Sequence, residues 1–158
     1  MHEPLDEELP LDAPNRRRLP PLLRKAWYSL NQAFRRKLAS EGITPDQFTA
    51  LRWLFEREGK PTTQKELANL MSSDPNTIAS MTKRMENADL IEREVSTKDR
   101  RANYVMLTEN GKDVYLRARK CAIDLQEEVL SDLTFHQIED FLLLLEKVAE
   151  AAGFAAKR

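Results

Sequence analysis

Between Pro75 and Ala88 the short or polar side chains Asn76, Thr77, Ala79, Ser80, Lys83 and Asn87 alternate with Ile78, Met81 and Met85, which sit at i, i+3 and i+7. On a helix the three apolar residues belong to a core. Asn76, Ser80, Lys83 and Asn87 then line the opposite face, flanked by Thr77 and Ala79. A face that is short, polar and mostly uncharged can enter the major groove of double-stranded DNA, where Asn pairs with adenine, Lys with guanine, and Ala or Thr methyls meet the thymine methyl. A merely solvated face more often carries Glu and Lys pairs at i, i+4. The loop Thr97 to Ala102 adds a second cluster, Lys98, Asp99, Arg100 and Arg101. Its arginines can reach phosphates or a narrow A·T-rich minor groove. DNA would repel Asp99, but a carboxylate there can accept hydrogen bonds from a guanidinium and hold it in one orientation.

Catalysis has no comparable footing. The chain has one cysteine, Cys121, two distant histidines, His2 and His136, and 4 glycines. No nucleophile stands with its base, no glycine-rich loop can cradle a phosphate, and no ligand spacing suits a metal. The sequence predicts no enzyme, no metal and no cofactor. Cys121 reads as a structural thiol.

Presenting the two clusters requires a helix-turn-helix and a ribbon. Thr63-Gln64-Lys65-Glu66 is a capping box that opens a short helix with Leu67, Ala68 and Met71 inward. Asp74-Pro75 supplies an N-cap and a proline at the first helical position for the helix that carries Ser80, after a turn of only Ser72-Ser73-Asp74. Ile91 to Ser96 and Asn103 to Leu107 are β-compatible runs on either side of the charged loop, which therefore tips a hairpin. Upstream, Leu23, Trp27, Leu30, Phe34 and Leu38 mark one face of a helix running from Leu22 toward Gly42, and Thr44 caps another with Phe48, Leu51, Leu54 and Phe55 buried. Downstream, Thr108 caps a long helix to about Leu130, and Thr134 caps a last one to about Ala152 with a broad stripe of Ile138, Phe141, Leu142, Leu145, Val148 and Ala149.

The expected fold is mainly α with a small β-hairpin wing. Residues 1–20 form a proline-rich acidic arm, residues 44–108 a winged helix-turn-helix, and residues 21–43 with 109–154 a helical dimerisation region. Dimerisation is expected because the terminal helices carry more apolar surface than a small wing domain can cover. A two-fold dimer would set two recognition helices on successive major grooves of a pseudo-palindromic operator.

With 158 residues, 41% hydrophobic and 32% charged, the chain is long enough for one compact domain with an extension. The net charge of -1 conceals segregation. Residues 1–14 hold five acids and no base, residues 15–65 twelve bases against four acids, and residues 120–158 eight acids against four bases. A nearly neutral protein can in this way present one basic surface to a polyanion. The longest apolar run, Phe141 to Leu145, is far short of the roughly 18 residues that span a bilayer, and the acidic opening is unlike a signal peptide. The expectation is a cytoplasmic protein without membrane contact.

The run from Asp99 to Gly111 contains Asp-x-Arg, five residues, then Leu-Thr, and resembles the wing signature of the MarR family of winged helix-turn-helix transcriptional regulators. Thr63 to Ala68 and Met85 to Arg93 are similar to the family's third helix and the end of its recognition helix, and the likeness extends from about Leu22 to Phe154. It implies that Asp99 orients Arg101, that Arg101 enters the minor groove, and that the first, fifth and sixth helices form a homodimer. Asp89 departs from the pattern by standing where the family commonly has glycine. The resemblance further implies a repressor released by a small aromatic or anionic effector. Trp27, Tyr28, Phe48 and Trp53 are candidates to line its pocket, and Arg24 or His136 to meet an anion. The other readings are a winged-helix module that binds protein and a constitutive DNA-binding protein without an effector.

Overall fold

The computed structural model describes residues 10–95 and 103–158. The chain divides into two compact units, residues 1–119 and 120–158. The first begins with α1 (Leu19–Leu38), which starts three residues earlier than the apolar periodicity suggests. Pro20 and Pro21 lie in its first turn, where their missing N–H groups have no partner to lose. The helix ends on Arg35, Arg36 and Lys37, a favourable placement against its dipole, and the chain leaves through a 3-10 turn and Gly42 at φ +69°.

Thr44 and Gln47 form the expected capping box at α2 (Pro45–Glu56), and Thr63 and Glu66 form another at α3 (Gln64–Leu70). Between them lies a strand that the sequence does not announce, β1 (Thr62–Thr63). Two residues carry no alternation to read. The wing is therefore a three-stranded antiparallel sheet of order β1-β3-β2, with β2 (Ile91–Val95) and β3 (Asn103–Leu107) in the register Ile91 to Leu107, Arg93 to Val105 and Val95 to Asn103. Thr62 is paired with Val105 and buried. Its hydroxyl accepts from Arg57 Nε at 3.1 Å.

The chain turns from α3 to α4 (Pro75–Asn87) through Ser72, a non-glycine residue at φ +51°. Ser73 N–H closes back on Ala68 O at 2.9 Å, so the end of α3 is hydrogen-bonded despite the strained residue. Asp74 then accepts from the Thr77 amide at 2.9 Å and from the Thr77 hydroxyl. The hydroxyl bond first and the amide bond second hold the Asp74 carboxyl below the usual aspartate range, against a smaller opposing effect of burial.

The core joins Leu38, Phe48, Leu51, Leu67, Ile78, Met81, Met85, Ile91 and Val105. Phe48 lies between Phe34, edge-on with centroids at 5.0 Å, and Tyr115, stacked at 5.6 Å, and Tyr115 also meets Phe55 at 4.7 Å. Phe55 and Met71, both expected inside, are only half-buried.

At its C-terminus α4 ends on Asp89 at φ +56°, the left-handed residue that the family's usual glycine would supply. Leu90 N–H returns to Met85 O at 2.9 Å. The Thr108 hydroxyl donates to Asp89 O at 2.6 Å and accepts from Gly111 N–H at 2.9 Å, which caps α5 (Glu109–Val129). Gly111 lies so close to Leu90 that a Cβ there would fall 2.0 Å from the Leu90 carbonyl oxygen.

The second unit holds the last residues of α5, a turn, and α6 (Phe135–Ala155), which opens on the predicted Thr134–Gln137 capping box. Leu125 is buried, whereas α6 has no buried residue.

Two stability measurements follow from these contacts. In most helices Gly→Ala is favourable by about 1 kcal/mol. Gly111→Ala should instead destabilise by about 3 kcal/mol and lower the thermal midpoint by roughly 6 to 12 °C, because the Leu90 carbonyl is backbone and cannot step aside. An unchanged midpoint would refute the contact. Asp74→Ala removes a cap whose folded pKa lies below the unfolded one. Its stabilisation is full above the unfolded pKa and is lost as pH falls through the folded value. Melting curves between about pH 7 and pH 3 should show the wild-type advantage over Asp74→Ala shrinking in acid. A difference independent of pH would mean the carboxylate is not the capping group.

Candidate nucleic-acid interface

α3 and α4 form the helix-turn-helix, and α4 buries Ile78, Met81, Thr82 and Met85. Asn76, Thr77, Ala79, Ser80, Lys83 and Asn87 are all exposed, so one open face gathers the residues that the sequence placed together. Thr77 differs from the rest in that its hydroxyl is engaged with Asp74, which leaves its methyl as the free group.

Thr82 is a core position that the sequence reading passed over. It lies at i+4 from Ile78, inside the apolar stripe, and is 0% exposed. Gln64 Nε2 donates to the Thr82 hydroxyl at 3.0 Å, and that hydroxyl donates to Ala79 O at 3.1 Å. The opening turn of α3 is thereby joined to the middle of α4 through a satisfied buried polar group, and the exposed face carrying Ser80 and Lys83 is held at one angle. The helical spacing of 78, 81, 82 and 85 was the signal available for Thr82; nothing pointed to Gln64.

Across the turn at Asp89, Arg93 on β2 grips Glu86 on α4 with both arms of its guanidinium. Nε donates to Oε2 and Nη2 to Oε1, each at 2.9 Å. Arg93 holds the Glu86 carboxyl below the ordinary range, and Glu86 in turn raises the Arg93 guanidinium, so the pair stays charged. Lys112 bridges Glu58 and Glu109 and fastens the start of α5 to the loop after α2. Lys98, Asp99, Arg100 and Arg101, the predicted phosphate and minor-groove contacts, lie outside the described residues.

The proposed effector residues are not gathered in the same way. Arg24, Trp27 and Tyr28 are exposed on α1, with Trp27 67% accessible and the Tyr28 hydroxyl accepting from Gln32 at 2.8 Å. Phe48 is enclosed in the aromatic core, where the inward face of α2 points it between Phe34 and Tyr115. Trp53 is half-buried, and the Arg52 guanidinium lies 5.8 Å from its ring centre. His136 belongs to the second unit, where it is exposed beside Phe135.

The MarR family model matches residues 43–102, the span from the end of the α1 turn to the wing loop. The transcriptional regulator HosA of Escherichia coli is 30% identical over 132 residues, covering 80% of this chain and 96% of HosA. The HTH-type transcriptional repressor NicR of Pseudomonas putida is 28% identical over 130 residues, covering 82% of this chain and 81% of NicR. Among solved structures, a mutant MarR from E. coli complexed with operator DNA superposes with a TM-score of 0.74 at 25% identity, over 81% of this chain and 91% of that one. The MepR–DNA complex of S. aureus shares the fold with a TM-score of 0.80 at 22% identity, over 84% of this chain and 96% of its own. With the wing signature in its sequence, a winged helix-turn-helix in its structure and a 30% identical relative spanned almost end to end, the chain belongs to the MarR family.

Proposed function

We propose that this protein regulates transcription by binding double-stranded DNA as a homodimer, with α4 in the major groove and the loop 97–102 against the minor groove and phosphates. The observation that carries the reading is the open face of α4, on which Asn76, Ala79, Ser80 and Lys83 are exposed opposite a closed core. Residues of this size can approach base edges, and their donors and acceptors are free to pair there. The relatives named as a regulator and a repressor, and the similar fold solved on operator DNA, support the same role.

The homodimer is supported by apolar surface that each unit leaves uncovered. In the first unit Leu19, Leu22, Leu23 and Trp27 of α1 are exposed; in the second, Phe141, Leu142, Leu143 and Leu144 of α6 are exposed in succession. Apolar patches of this extent mark partner surfaces, and a second copy of the chain places two recognition helices on a pseudo-palindrome. Within this proposal the protein is a cytoplasmic repressor. Among the described residues no helix is long and apolar enough to cross a membrane.

Release by a small aromatic or anionic effector is the remaining part of the reading, supported by the exposed Arg24, Trp27 and Tyr28. Such a ligand must bind the DNA-free geometry better than the DNA-bound one, since equal affinity for both shifts nothing.

Duplex binding measured against salt tests the DNA contacts. Affinity should fall with a log–log slope of about -0.9 per neutralised phosphate, and Arg101→Ala should weaken all sequences and flatten that slope. Ser80→Ala and Lys83→Ala should instead change which operator variants are preferred, each base contact discriminating by about 1 to 3 kcal/mol. A uniform loss from the α4 substitutions would make them backbone contacts, and no duplex binding at all would favour a protein-binding module. Repeating the titration with aromatic acids, with Trp27 and Trp53 fluorescence reporting binding, checks release. A tight ligand that leaves operator affinity unchanged would argue for a constitutive DNA-binding protein.

For the dimer, Phe141→Glu with Leu144→Glu places charges on side chains already exposed in one chain, so the fold of that chain is spared. Each buried apolar side chain contributes about 1.5 to 3 kcal/mol to association. Sedimentation should therefore give a monomer. A doubly substituted protein that stays dimeric would locate the interface elsewhere.

A further inference from the structure

Along β2 the residues Ile91, Arg93 and Val95 share one side of the strand. Ile91 is 2% exposed and anchors the base of the ribbon in the core, whereas Val95 is 58% exposed and is paired across the ribbon with Asn103. Between them, about 7 Å along the strand from Ile91, Arg93 makes its double hydrogen bond to Glu86 of α4. Among the described residues this is the outermost polar tie between the recognition helix and the wing. Val95 closes the strand two residues beyond Arg93, so a small rotation about Ile91 grows into a larger displacement at that end of β2.

We infer that Glu86 and Arg93 are positioning residues that set the angle between α4 and the wing ribbon, so that base contacts by α4 and phosphate contacts by the loop fall on one duplex together. The inference rests on the DNA-binding reading above and assigns a role to two residues outside the proposed base-contacting set. A fork of two parallel N–H···O bonds fixes both the separation and the relative plane of its partners, which a single point charge cannot do. The pair is also partly open, with side-chain exposures of 28% for Arg93 and 36% for Glu86. Partly exposed pairs contribute little to folding, so the geometry they impose can be altered without loss of the fold.

The test uses the full chain as wild type, Arg93→Lys, Glu86→Gln and the reversed pair Glu86→Arg with Arg93→Glu. Each is titrated, across a range of salt, with a duplex from upstream of the protein's own gene and with an unrelated duplex of equal length. Arg93→Lys keeps the charge and removes the fork. It should lower affinity about fivefold, the scale of one such pair, and flatten the salt slope by about 0.9, one phosphate contact. The ranking of operator variants should stay as in wild type because α4 is unaltered, and the thermal midpoint should stay within about 3 °C. Glu86→Gln should behave alike, and the reversed pair should recover part of the loss. If wild type binds and Arg93→Lys matches it in affinity and slope, the positioning role is overturned. A fall in midpoint that accounts for the lost binding would overturn it too, by making the pair merely structural. If wild type binds neither duplex, the DNA-binding reading itself fails.

Discussion

The Thr108 hydroxyl is the contact on which the arrangement of the first unit turns. It donates to Asp89 O at the end of α4 and accepts from Gly111 N–H at the start of α5, so one oxygen serves as the stop of one helix and the cap of the next. Thr108 N–H reaches Leu90 O at 3.2 Å, and Asn110 Nδ2 reaches Asp89 O at 3.2 Å. Such a junction is possible only if the two backbones approach closely, which is why Gly111 has no room for a side chain. The ribbon between Asp89 and Thr108 leaves and returns through the same knot. Where α4 ends and where β2 begins are thus set by one cluster of hydrogen bonds, each contributing about 1 kcal/mol.

Around that junction α4 is restrained from three sides. Its middle is joined to α3 through Gln64 and Thr82, its last turn to β2 through Glu86 and Arg93, and its inner stripe to the core through Ile78, Met81 and Met85. What is left over is the exposed face of Asn76, Ala79, Ser80, Lys83 and Asn87. A recognition surface needs this combination, since side chains that must meet base edges have to be free while their backbone is not. The terminal helices differ in kind: what each leaves exposed within its own unit is a broad apolar stripe, not a polar face.

Helix starts were legible because caps are local. Thr44, Thr63, Asp74 and Thr134 each bond an amide three residues ahead, and the spacing is visible in the sequence. The left-handed Asp89 was legible for the same reason, as a helix end that requires positive φ. Strand β1 was not, because two threonines become a strand only through pairing with Val105 and Tyr104, some forty residues away. The two ring partners of Phe48 were not legible either, since an aromatic on a helix reads alike whether it meets solvent, ligand or two other rings. Met71 and Phe55 fit the apolar period but lie at the margins of the core, where burial depends on the neighbour and not on the spacing.

By itself the sequence determined the order and type of the helices, the position of the turn between α3 and α4, and the set of residues on the outer face of α4. All of these follow from periodicities and caps confined to a few consecutive residues. Tertiary structure alone decided that Thr82 is buried and bonded to Gln64, that Arg93 finds Glu86, and that Gly111 lies against Leu90. Those contacts join residues separated by a turn, a strand or a whole ribbon, and no local pattern encodes which side chains will meet once the chain has closed on itself.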